Sequence, residues 1–95
     1  MADDRIALRL RVIGRVQGVW FRAWTVKQAS ALKLDGWVRN RTDGSVEILA
    51  AGPSGAVDRL LALCKDGPRN ARVVDVCSNP AEDPGPTGFD LRPTA

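Results

Sequence analysis

Ninety-five residues, 44% apolar and 26% charged, suffice for one modest hydrophobic core and are too few for two. The net charge is +3, but with no histidine the Ser–His and Cys–His nucleophile pairs, phosphohistidine chemistry and histidine-based metal sites are excluded. No apolar run is long enough to span a bilayer, and the start Met1-Ala2-Asp3-Asp4 is acidic where a signal peptide is basic and then apolar. A cytoplasmic monomer forming one domain over residues 1–95, frayed at 1–4 and with no membrane partner, is therefore expected.

Ile6, Leu8, Leu10 and Val12 alternate with Arg5, Arg9 and Arg11, the period of a half-buried strand. After a loop, Phe21, Trp24, Thr25, Gln28, Ala29 and Leu32 recur at spacings of three and four, which predicts a helix over about 22–33 with Phe21 and Trp24 as core anchors. Trp37 to Arg41 reads as the next strand. Asp43-Gly44 supplies the positive φ angles of a tight hairpin turn, and Val46, Ile48 and Ala50 continue as its partner strand. Gly52-Pro53-Ser54 opens a second helix with Val57, Leu60, Leu61 and Cys64 on its buried face, and Gly67-Pro68 closes it. Arg72 to Ser78 is a valine-rich strand. Asn79 to Gly88, with three prolines and two glycines, is expected to be an exposed loop before a short edge strand, Phe89 to Leu91. The order predicts an α/β (α+β) fold, β-α-β-β-α-β with a small fifth strand and both helices on one side of a mainly antiparallel sheet.

Charge is unevenly placed along this order. Residues 1–41 carry nine basic and three acidic residues, a balance of +6, and residues 42–95 carry five and eight, a balance of −3. The positive half surrounds Gly14-Arg-Val-Gln-Gly-Val-Trp-Phe-Arg22, a strand–loop–helix junction with glycines at 14 and 18. Such a junction can turn consecutive N–H groups around one point and add the positive end of a helix dipole, which suits phosphate. Arg22, in the first helical turn, offers a permanently charged fork that can grip such an anion bidentately. Asn40, near the end of its strand, carries an uncharged amide able to hold a water molecule, although asparagine also commonly shapes hairpins. Cys64 and Cys77 are not spaced as a metal knuckle, and the sixth position after each holds Asn70 and Asp83 rather than the arginine of a thiol phosphatase loop. Both are expected to be reduced and buried.

Gly-x-Val-Gln-Gly-Val-x-Phe-Arg at 14–22, followed by Gly-Trp-Val-Arg-Asn-x-x-Asp-Gly-x-Val at 36–46, closely resembles the acylphosphatase family, and the likeness runs over about residues 5–92. The resemblance implies a ferredoxin-like sandwich that hydrolyses the carboxyl–phosphate bond of small acyl phosphates, with inorganic phosphate or sulfate as competing anions. It implies that the backbone amides of Arg15, Val16, Gln17, Gly18, Val19 and Trp20 cradle the phosphoryl group, that Arg22 binds its oxygens and that Asn40 positions the attacking water. No cofactor and no metal are expected, and Asp43 is read as a turn residue. The sequence departs from the pattern at Trp20 and in the proline-heavy stretch before the last strand, which leaves the edge-strand geometry open. The rival from another class is a non-catalytic module of the same fold that binds phosphate ligands or nucleic acid. RNA-binding sheets of this order place stacking aromatics on the third strand; here Ser45 to Ala50 has none, so no nucleic-acid partner is expected.

Overall fold

The alternation of the first strand decides which side of the sheet is covered. In the computed structural model, which describes residues 4–95, β1 spans Arg5–Arg15. Leu10 and Val12 are fully buried, Ile6 and Leu8 pack on the same core, and Arg5, Arg9 and Arg11 face the opposite, open side. β2 (Asp35–Asn40) and β3 (Val46–Pro53) form the predicted hairpin, and β3 pairs antiparallel with β1, placing Leu10 opposite Ile48 and Val12 opposite Val46. With β4 (Arg72–Pro80) and β5 (Phe89–Leu91) the sheet order is β4-β1-β3-β2-β5. All pairs are antiparallel except β2–β5, which is parallel. The frayed start expected at 1–4 lies outside the described residues except for Asp4, whose carbonyl accepts the Ser54 N–H at 2.8 Å.

Helices α1 (Phe21–Ala31) and α2 (Ser54–Asp66) touch one another and share one core with the sheet. Phe21, Thr25 and Ala29 from α1 and Val57, Leu60 and Cys64 from α2 meet Val38, Val46, Ile48 and Ala50 of the central strands. Trp24 packs edge-on against Phe21, with ring centroids 5.3 Å apart, so both are core anchors as the spacing predicts. This is the ferredoxin-like sandwich.

The differences from expectation gather at the edge. The loop expected to begin at Asn79 begins after Pro80, because β4 runs on beside β1 through Pro80 opposite Leu8. Against the expectation that both cysteines are buried, Cys77 lies on the exposed side of this edge strand, whereas Cys64 is buried, and both are free thiols. Loss of hydration pushes the Cys64 thiol up to about 12, so it stays protonated. Residues 81–88 cross the bottom of the sheet under the control of Arg5. Its guanidinium donates to Asp83 at 2.5 Å and to Asp35 at 2.9 Å, and Asp35 accepts the Gly88 N–H at 2.9 Å. That bracket delivers the chain to β5.

Candidate active site

Between β1 and α1 the chain must reverse direction and start a helix within five residues. Val16 is buried and Val19 packs on the core, so two side chains pin the loop from below. The residues between and after them take left-handed backbones, Gly18 at φ 72° and Trp20 at φ 66°. Successive N–H groups around left-handed residues turn toward a common centre, the geometry of an anion-binding nest. Trp20 is the N-cap of α1 yet makes no side-chain cap, and the first turn holds no acidic residue. The leading N–H groups of the helix and the positive end of its dipole are therefore left for a partner from outside.

Gln17 joins this loop to the next element of the site. Its Nε2 donates to the Arg41 carbonyl at 2.7 Å and to the Ser45 carbonyl at 2.9 Å, both in the β2–β3 turn. That turn is itself closed by Asp43, which accepts the Ser45 N–H at 2.9 Å and its hydroxyl at 2.6 Å. These two bonds, then the Arg11 guanidinium, hold the Asp43 carboxyl down at about 2. Asp43 is thus a turn residue, as expected. The end of β2 carrying Asn40 is in this way fixed relative to the loop before Arg22.

A cleft of about 340 Å³ opens where these parts meet, bordered by Val16, Gly18, Trp20, Arg22 and Asn40. Phe21, Ala23 and Leu91 complete its wall. Among the described residues Arg22 makes no side-chain hydrogen bond or ion pair, although it is half-buried. Five other arginines behave otherwise: Arg5 pairs with Asp35 and Asp83, Arg9, Arg39 and Arg41 pair with Glu47, and Arg11 pairs with Asp43. Asn40 is half-buried, and its Oδ1 is fully screened from solvent without a hydrogen-bond donor among the described residues. Buried amide oxygens are rarely left so. No three His, Cys, Asp or Glu side chains among the described residues lie together as a metal site, and no helix is long and apolar enough to cross a membrane.

The two proposed catalytic residues therefore share one cleft with Val16, Gly18 and Trp20 of the loop. Gln17 and Val19 do not border it, because their side chains are committed to the hairpin and the core. Arg15 is the last residue of β1, in register with Arg72, and does not border the cleft either. Sequence reasoning missed the Gln17 bridge and Leu91. An amide beside a turn could have signalled the first; the second depends on a parallel pairing that places Leu91 beside Val38.

The fold and the cleft define a ferredoxin-like α/β protein whose chemistry suits a small oxyanion. A profile of the acylphosphatase family matches residues 8–91. The chain is 53% identical to the acylphosphatase of Rhizorhabdus wittichii over 96% of its own length and 92% of that protein's. It is 49% identical to the acylphosphatase of Rhodospirillum rubrum over 92% and 96% of the two chains. The crystal structure of the acylphosphatase from Bacillus subtilis superposes with a TM-score of 0.88 at 39% identity, covering 92% of this chain and 98% of that one. The chain belongs to the acylphosphatase family.

Proposed function

We propose that this protein, an acylphosphatase by family and by its relatives, hydrolyses acyl phosphates with Arg22 and the Val16–Trp20 amides holding the phosphoryl group and Asn40 holding the attacking water. One observation carries the division of labour: an unpaired, half-buried guanidinium shares a cleft with a buried amide oxygen that has no partner among the described residues. The first can neutralise the phosphoryl oxygens, and the Asn40 amide, which borders the same cleft, is the uncharged group there that can hold water.

The water oxygen forms a bond to phosphorus. The bond from phosphorus to the acyl oxygen breaks, and its electron pair leaves on the carboxylate, a weak base that needs no general acid. Among the described residues no carboxylate borders the cleft, and the sequence holds no histidine, so the water's proton passes to a phosphoryl oxygen. Positioning and charge stabilisation supply most of what such a transfer requires. The reading calls for no metal, no cofactor and no second copy of the chain, and it makes inorganic phosphate and sulfate competitive inhibitors.

The test is phosphate release by the purified protein from a small aromatic acyl phosphate, with and without a chelator, in isotopically labelled water. Metal-independent release with the label in phosphate is the expected result. Label in the carboxylate, or activity that needs a divalent ion, overturns the mechanism.

A further inference from the structure

We propose that Trp20, which with Leu91 supplies the exposed apolar surface bordering the cleft, is the residue that selects the acyl group, favouring substrates with an aromatic or bulky apolar acyl part over short ones. This inference rests on the reading of the cleft as an acyl phosphate site.

Tryptophan is costly to leave in water, and this fold buries or covers the other two: Trp24 packs on the core and Trp37 is 9% exposed beneath the Arg39 and Arg92 guanidinium groups. Trp20 is 81% exposed. It also sits at φ 66°, a left-handed backbone that a bulky residue adopts at a steric cost. The backbone here explains a glycine or an asparagine; it does not explain an indole. Helix packing does not explain it either, because the neighbouring Phe21 is buried and makes the edge-on contact with Trp24. Of the four large apolar side chains that are exposed among the described residues, two, Trp20 and Leu91, border the same cleft as Arg22 and Asn40; Ile13 and Val74 lie elsewhere.

The two ends of an acyl phosphate differ in the same way as the two parts of this cleft. The phosphoryl group carries the charge and is matched by Arg22 and the loop amides. The acyl group is uncharged and must lie beyond the phosphoryl group, toward the mouth, where Trp20 and Leu91 offer apolar surface. An aromatic ring against an indole gains both area burial and a specific ring–ring geometry, whereas an acetyl methyl covers little of it. Because Trp20 and its replacement by alanine pay the same left-handed backbone cost, that substitution removes the surface without re-forming the loop.

The experiment compares benzoyl phosphate with acetyl phosphate as substrates of the wild type, Trp20→Ala, Trp20→Gly and the distant control Val74→Ala. Binding of benzylphosphonate and methylphosphonate is measured by calorimetry on the same proteins. The expected result is a fall of about tenfold in the benzoyl-to-acetyl ratio of kcat/KM in both Trp20 variants. Val74→Ala should change nothing, and the preference for benzylphosphonate over methylphosphonate should be lost with the indole. An unchanged ratio and an unchanged phosphonate preference in folded Trp20 variants overturn the proposal. Failure of the wild type to hydrolyse either substrate overturns the proposed activity instead; the phosphonate preference then still decides whether Trp20 selects the organic part.

Discussion

Five arginines in the first half of the chain face carboxylates: Arg5 meets Asp35 and Asp83, Arg11 meets Asp43, and Arg9, Arg39 and Arg41 converge on Glu47. Asp43, Glu47 and Asp83 therefore answer half of the +6 balance of residues 1–41, and the sequence alone could not say which arginines would be spent in this way. Arg22 is kept out of those pairs by its place on the helix side. In its proposed role Arg22 makes a contact that strengthens in the transition state, so Arg22→Ala should lower kcat/KM by about three decades and weaken phosphate inhibition together. Lysine should rescue poorly, because a point charge lacks the planar fork. Steady-state kinetics with phosphate as inhibitor measures both. Gln17 acts at one remove, through the hairpin. Its two acceptors keep backbone donors of their own, since Gly44 N–H reaches the Arg41 carbonyl and Arg41 N–H reaches the Ser45 carbonyl. Gln17→Ala should thus cost only about 1 kcal/mol in urea unfolding, while KM rises as the loop loosens against Asn40.

Two glycines of the phosphate-loop motif look alike in sequence and do different work in the strand–loop–helix unit. A Cβ at Gly14 would lie 2.2 Å from the Arg72 carbonyl oxygen and 2.8 Å from the Val74 nitrogen, at φ 134°. Gly14 therefore belongs to a bulge in the β1–β4 pairing, where Ile13 faces Asp75, Gly14 faces Val73 and Val74 is left over. A Cβ at Gly18 would meet nothing within 4 Å, and only its φ of 72° resists a side chain. Gly14→Ala should lose about 2–4 kcal/mol of stability from strain and overpacking. Gly18→Ala should fold with a loss of about 1 kcal/mol but turn over more slowly, because Gly18 borders the cleft. Chemical unfolding and kcat on the two variants separate the roles. The same bulge explains why β4, read as a strand from its valines, carries no regular alternation. Val73 and Val76 reach the core at a spacing of three, not two, because the extra residue Val74 turns outward and is 79% exposed. β1, the hairpin and α2 were legible because nothing interrupts their periods.

Across the whole molecule, what periodicity could not carry is how residues 81–95 close the sheet, since that depends on charges brought from distant segments. Arg5 holds Asp83, which also accepts the Gly85 N–H, and these contacts keep the Asp83 carboxyl down at about 2. Asp43 is held equally low by Ser45 and Arg11 in the hairpin turn. A carboxyl whose folded value lies below its unfolded value contributes stability that is complete above the unfolded value and disappears as pH falls through the folded one. Both contributions should therefore be present above about pH 4 and fade toward pH 2. Asp83→Asn should have a lower urea midpoint than the wild type at pH 7, with the difference gone near pH 2; a constant difference would refute the bracket. The motifs at 14–22 and 36–46 made Arg22 and Asn40 legible, but not that Leu91 would close the same cleft, because the parallel β2–β5 pairing leaves no local pattern. The proposed mechanism divides binding and chemistry between Arg22 and Asn40. Asn40→Ala tests it most directly, with turnover of an acyl phosphate and inhibition by inorganic phosphate measured on protein shown to be folded. Turnover should fall by about two to three decades, roughly 3–4 kcal/mol, while phosphate inhibition stays near wild type. Near-normal turnover in the folded variant would contradict the account.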